Sequence, residues 1–541
     1  RRQRQMCIRD RKWYDPRTSN GEDENGEVVK RIREYKKMVW SNTLSYLTTF
    51  NNIHHLDFLA GYEIDDTYND YLSGEAYNFT TPDKHAISNG MKTVSVGGSD
   101  SRYRLVSYLS RLNYDYKNKY YLGASFRVDG SSRLHRDNRW GTFWSVSGAW
   151  RTIEEEFMQP VKDWLTDLRI RASYGVNGTL PSDYFGYMGL SSISGGYLEQ
   201  PGIQMSQIAN PNLKWETNYN MNIGLDFGFW DRLNFTIEYY TRTTKNLLMD
   251  CPVSMTTGFS SYLMNIGEVK NKGIELTINS TNIKIKDFNW NTTFNLGHNS
   301  NKVVKLDGEQ TQIVSGTQIH KVGSSYRTFY VQEFAGINPE TGNPLFYTNE
   351  LDENGNYIKE ITENSKNAQF IPYKHAEPTV NGGISNSLRY KWLDLNFLFS
   401  YQFGGYSYDT WAQKTEHGGY DSYANIPTYY RDSWKKPGDQ TNIEVYMPGK
   451  SSSVSMHKIT SSRRIHSTDY FRLKNITFGI TLPKEWTNKI NIGNVRFYAS
   501  ASNLWTWAAY DNYDPEAVSA GSATQTTPPL KTVTFGLNIN F

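Results

Sequence analysis

Few side chains in this 541-residue chain are spaced for chemistry. His54 and His55 are adjacent imidazoles, but no third ligand stands at a spacing that a metal site needs. Asp352, Glu353, Asn354, Gly355 and Asn356 have the content of a calcium loop without its spacing or its distal glutamate, so a β-turn is the simpler reading. Glu154, Glu155 and Glu156 read as a solvated helix end. No nucleophile elbow, zinc-binding helix or phosphate loop occurs, and neither catalysis, a cofactor nor a metal is expected. What remains is aromatic. Tyr406, Tyr408, Trp411, Tyr420, Tyr429, Tyr430 and Trp434 crowd one long loop. Aromatic faces stack on sugar rings, so these seven are candidates for a substrate rim. The plainer alternative is that they anchor the loop to itself or to a partner.

The elements that must position this loop are strands. The segment KTVTFGLNINF (531–541) alternates strictly: Val533, Phe535, Leu537, Ile539 and Phe541 are apolar, and the residues between them are small or polar. In a strand this puts all the apolar side chains on one face. The same alternation recurs at 122–128, 144–150, 168–176, 221–229 and 233–239, and in strands expected near 36–50, 56–62, 102–116, 273–279, 288–299, 326–336, 378–390, 393–403, 471–482 and 495–507. A weaker candidate lies at 345–348. Charge is locked to the polar phase, with Arg169, Arg171, Asp226 and Glu238 as examples. On a lipid face near the bilayer midplane an Arg or Lys costs about 2–4 kcal/mol, whereas in a wet lumen it is solvated. Short turns alternate with long loops, and a phase slip between Leu473 and Ile476 marks a bulge. Together these features predict an all-β protein: a transmembrane antiparallel β-barrel with about 17 strands in this chain.

Composition agrees. Mean hydropathy is −0.66, and no apolar run is long enough for a transmembrane helix. A barrel would share both properties, because only one face of each strand meets lipid. Aromatics make up 15% of the chain, with 39 Tyr, 15 Trp and 25 Phe, which suits girdles at the two membrane interfaces. The two cysteines, Cys7 and Cys251, make no disulfide framework. Residues 1–11 (RRQRQMCIRDR) fit no strand, loop or targeting pattern, and Met6 to Asp10 read like a sequencing adapter translated in frame. They are expected to be a non-structural artefact. They hold five arginines and one aspartate, so the formal charge of +3 falls to −1 without them. No basic patch then remains to suggest nucleic acid.

Several stretches carry a family likeness. FRVDGSSRL (126–134), RWGTFWSVSGAWR (139–151), LRIRASYGVNG (168–178), NPNLKWE (210–216), NIGEVKNKGIEL (265–276), FAGINPETGNPLF (334–346), SYQFGG (400–405), RDSWKKPGD (431–439), YFRLKNITFGITLP (470–483), RFYASASNLWTW (496–507) and YDPE (513–516) resemble the barrel of SusC-like (SusC/RagA) TonB-dependent outer-membrane transporters. The resemblance covers residues 12–541 as the C-terminal portion of such a barrel, and implies that it is incomplete, with about 17 of about 22 strands. It implies that the signal peptide, plug and first strands lie outside this chain. It also implies a Gram-negative, Bacteroidetes-like outer membrane, lipid contact, a SusD-like lipoprotein as lid, and a TonB complex acting through the part not present. The expected activity is import of an oligosaccharide or a peptide. The alternatives are a surface adhesin or structural outer-membrane barrel that transports nothing, and a secreted β-rich lectin or enzyme.

Overall fold

In a computed structural model of the chain, all residues are described except 1, 198–199, 307–310, 420–424, 449–455, 457–458, 488, 490–491, 519, 524–525 and 541. Sixteen strands form one sheet, each hydrogen-bonded to the next in chain order. They are β1 (Arg2–Tyr14), β2 (Glu27–Phe50), β3 (His54–Phe79), β4 (Gly90–Tyr116), β5 (Tyr120–Ser131) and β6 (Trp140–Trp150). Next come β7 (Leu165–Thr179), β8 (Glu216–Phe229), β9 (Leu233–Lys245), β10 (Glu268–Lys284) and β11 (Phe288–Lys305). The last five are β12 (Val380–Tyr390), β13 (Leu393–Phe403), β14 (Tyr470–Thr481), β15 (Asn494–Ala508) and β16 (Thr532–Asn540). The chain divides into two compact units. One is Arg1–Ala149 with Ser173–Asn220 and Thr244–Ile266, and the other is Trp150–Ala172 with Met221–Thr243 and Gly267–Phe541.

Short turns of two or three residues join the strands at one end, at 51–53, 117–119, 230–232, 285–287 and 391–392. Lys117 and Asn118, and Trp230 and Asp231, all take positive φ near 50°. Paired positive φ is the geometry whose twist matches that of flanking strands in a tight hairpin. The other end carries the long connections, including 180–215, 246–267, 306–379, 404–469 and 509–531.

Alternation sorts the side chains by face. On β16, Val533, Phe535, Leu537 and Ile539 are all exposed, Phe535 at 81%. Their partners on β15 are Ala501, Ala499, Phe497 and Val495, which continue the apolar row. On β14 and β13, Ile476 faces Phe397, Phe478 faces Leu395 and Ile480 faces Leu393. The last residue of the alternation, Phe541, lies outside the described residues. Polar phases hold ion pairs instead. Asp226 accepts from Arg169 and Arg171 at 3.0 and 2.9 Å and from the Thr236 hydroxyl at 2.9 Å, while Arg171 also reaches Glu238. The four charges singled out by phase therefore form one cluster.

Arg2–Tyr14 pairs with β2, from Arg2 against Val39 to Tyr14 against Glu27. Pairing at a sheet edge uses backbone groups and tolerates side chains of any pattern, an adapter-like one included. Three expectations need correcting. The strand expected at 326–336 is not in the large sheet. It breaks into Thr328–Gln332 and Phe334–Ile337, both inside the 306–379 connection, because β11 pairs directly with β12. The 345–348 candidate likewise sits there, as Pro344–Tyr347 against Phe334–Ile337. Among the described residues the large sheet has sixteen strands, in line with the expected count of about 17. Where Glu154, Glu155 and Glu156 were read as a helix end, the chain forms two 3₁₀ turns, Thr152–Glu154 and Glu156–Val161.

Candidate functional site: the folded rim

The three last long connections belong to one unit and fold on each other. Tyr406–Asp409 forms a short strand, antiparallel to Ile465–Ser467 and parallel to Ser522–Ala523. Phe329, Val331, Tyr408 and Ile465 pack into one core, and Phe346, Ala368, Met456 and Ile459 into another. Burying those side chains, at about 1.5–3 kcal/mol each, is what gives loops this long a fixed shape.

A buried charge organises the middle connection. Arg464 is fully buried and donates to Glu416, which also takes the Tyr429 hydroxyl and lies 3.7 Å from Arg463. Nε of Arg464 has no hydrogen-bond partner among the described residues. A buried ion pair of this kind sets geometry more than it adds stability, because losing one partner strands the other. Burial, then the carboxylates of Glu416 and Glu444, pushes the Tyr429 and Tyr430 phenols well above their ordinary range.

Asp409 fixes the exposed part of the rim. Its carboxylate accepts from the amides of Trp411 and Ala412 at 3.0 and 2.8 Å, capping the helix Thr410–Thr415. It also accepts the Tyr510 hydroxyl at 2.9 Å, and Asn512 donates to that hydroxyl at 2.7 Å. The Tyr510 ring stacks on His466 with centroids 3.7 Å apart. Burial holds the His466 imidazole below its usual value and pushes the Tyr513 phenol up to about 12. Trp411, held by this cap, stands 41% exposed with a cleft on either side. One, of about 260 Å³, is lined by Thr415, Ile426, Pro427 and Tyr429. The other, of about 220 Å³, is lined by Tyr513, Asp514, Thr526 and Pro528. Asp409, Trp411 and Asn512 line both.

The seven candidate aromatics therefore separate. Trp411 and Tyr429 line a cleft. Tyr408 and Tyr430 are buried, Tyr408 in the core it shares with Phe329 and Val331 of the neighbouring connection. Tyr406 packs against the Phe329 cluster, with the Lys374 ammonium 5.3 Å from its ring. Trp434 donates from its indole to the Pro339 carbonyl at 2.7 Å and covers Gly342, where φ is +71° and a Cβ would meet the ring at 2.6 Å. Tyr420 lies outside the described residues. Asp409, Asn512 and the Glu416–Arg464 pair carry no motif, and sequence reading missed them. The YDPE stretch did leave a signal. Arg472 meets Asp514 at 2.6 Å and also Glu516, and Lys474 meets Glu516 at 2.5 Å. The bulge that breaks phase after Leu473 lies at Lys474, which neither neighbouring strand pairs. It adds a second cation to the side that Arg472 faces. The weaker chemical candidates take ordinary partners. His54 bonds the Tyr114 hydroxyl at 2.8 Å and His55 bonds Thr49 at 2.9 Å. Asp352 accepts the amides of Asn354 and Asn356, closing a β-turn. Glu154 pairs with Arg151 and Lys162.

A long-stranded antiparallel wall with a two-faced pattern, topped at one end by a folded rim, is the architecture of a β-barrel receptor. The family model described as TonB dependent receptor-like, beta-barrel, matches residues 8–358, and the chain belongs to that family. Within it the chain is of SusC/RagA type. It is 32% identical over 95% of its length to TonB-dependent receptor P3 of Formosa agariphila, and 29% identical over 96% to TonB-dependent receptor SusC of Bacteroides thetaiotaomicron. The structure matches that of the RagAB peptide transporter at a TM-score of 0.84, with 27% identity, over 95% of this chain and 56% of that one. The chain spans about half the length of these curated relatives, 53% and 51%. These relatives are receptors and transporters, not enzymes.

Proposed function

We propose that the chain is the wall and part of the rim of an outer-membrane TonB-dependent importer that takes up an oligosaccharide or a peptide. In this reading a SusD-like lipoprotein closes over the long-loop end. The TonB complex acts through a part of the protein outside this chain. The observation that carries the proposal is the two-faced wall: exposed Val533, Phe535, Leu537 and Ile539 on one phase, and the Arg169–Arg171–Asp226–Glu238 cluster on the polar phase of β7 to β9. Lipid on one side and water on the other is the environment that stabilises both. The likeness to a peptide transporter supports a peptide as cargo, and an exposed Trp411 between clefts supports a sugar.

The test uses the complete gene in its own host. Deleting it should abolish uptake of one labelled class, glycan or peptide. An affinity tag on the receptor should bring down a lipoprotein from solubilised outer membrane. Unchanged uptake of both classes, together with lost adherence to a surface, would replace the importer with an adhesin.

A further inference from the structure

Ile274, Leu276 and Ile278 on β10 lie in register with His298, Leu296 and Phe294 on β11. Toward the long-loop end the same phase turns cationic. Lys272 lies opposite Ser300, and Lys270 lies directly opposite Lys302. All three lysines are exposed. Like charges facing each other across two strands repel. Elsewhere cations of the wall meet carboxylates, as Arg171 meets Asp226 and Arg496 meets Asp394. Among the described residues, neither Lys270, Lys272 nor Lys302 has an ion-pair or hydrogen-bond partner.

Position suggests what relieves the repulsion. A strand rises about 3.3 Å per residue and tilts by about 45° in a transmembrane wall, so two residues climb about 5 Å. Lys272 then stands about 5 Å, and Lys270 about 10 Å, beyond the last isoleucine of the apolar band. That is the depth of lipid headgroups. The lysines share a phase with the apolar band, so they face the same surroundings as that band does.

We propose that Lys270, Lys272 and Lys302 form a binding site for the phosphate of an anionic lipid headgroup in the outer leaflet. The proposal rests on the membrane reading above. Three mobile ammonium groups around one position suit a phosphate monoester, which offers several acceptor oxygens.

The test uses the complete receptor reconstituted in vesicles of phosphatidylcholine, alone or doped with diphosphorylated lipid A. Bound lipid A per receptor is read by mass spectrometry, and the thermal midpoint is read in parallel. Wild type should retain lipid A and gain in midpoint. At subsaturating lipid, each Lys→Ala change should lower the bound fraction about fivefold. The variant carrying Lys270→Arg, Lys272→Arg and Lys302→Arg should retain binding. Equal retention by wild type and the triple alanine variant overturns the site. The same lysine-dependent shift with inorganic phosphate in place of lipid A overturns the lipid assignment. Failure of the membrane reading shows separately, as a receptor absent from the outer-membrane fraction.

Discussion

At the scale of single residues, the informative groups are those whose partners are forced on them. Asp226 accepts four hydrogen bonds at 2.9–3.2 Å from Arg169, Arg171 and Thr236. Asp226→Asn keeps the shape and removes the charge, so it should lower stability by about 1–3 kcal/mol, seen as a lower thermal midpoint in detergent. Trp411 behaves differently, because it stands 41% exposed and lines two clefts. Trp411→Ala should weaken cargo binding about threefold to tenfold while leaving hydrogen exchange in the rim unchanged. Unchanged binding would remove Trp411 from the site. The rim also responds to acid. Burial depresses the folded-state value of His466, and of His320 in the neighbouring connection. An imidazole depressed on folding stabilises fully above its unfolded value of about 6.5, and that contribution is lost as pH falls through the lower folded value. Exchange protection in residues 404–469, referred to the intrinsic rate at each pH, should therefore fall between pH 7 and pH 5, and that of the strands should be unaffected.

At the scale of elements, strand phase decides what a substitution costs. Phe535 and Thr534 are neighbours on β16, facing opposite sides; Thr534 pairs with Ser500 and Phe535 with Ala499. Phe535→Arg should destabilise the receptor in lipid by about 2–4 kcal/mol, and Thr534→Arg by clearly less. Denaturant titration in liposomes measures both, and equal losses would mean that the two faces share one environment. The elements were legible wherever one face had to be apolar, as in β5 to β9. They were illegible beyond the apolar band. β2, β3 and β4 run for 24, 26 and 27 residues, and much of that length has polar residues in both phases. Hydrogen bonding to neighbouring strands holds those parts extended, and no side-chain period announces it.

At the scale of the whole molecule, wall and rim draw on different forces. The wall depends on backbone pairing and on the contrast between its faces, and the rim on its own buried cores and on the Arg464–Glu416 pair. Arg464→Ala leaves Glu416 buried without its main partner and should cost the rim about 3–5 kcal/mol. Limited proteolysis should then cut within 404–469, while the heat-modifiable band of the folded barrel persists on semi-native gels. Loss of both together would mean that rim and wall fold as one. The sequence by itself determined the period of the strands, the segregation of charge, the bulge near Lys474, the alternation of short and long connections, and the family. All of these are local or repetitive, and a side chain's phase depends only on its neighbours in the chain. Only the tertiary structure decided that Tyr408 and Tyr430 are core while Trp411 is exposed, that Arg464 reaches Glu416, that residues 326–336 belong to the rim, and that Lys270 faces Lys302. Each of those facts joins segments through packing or register, and no pattern within one segment records its distant partner.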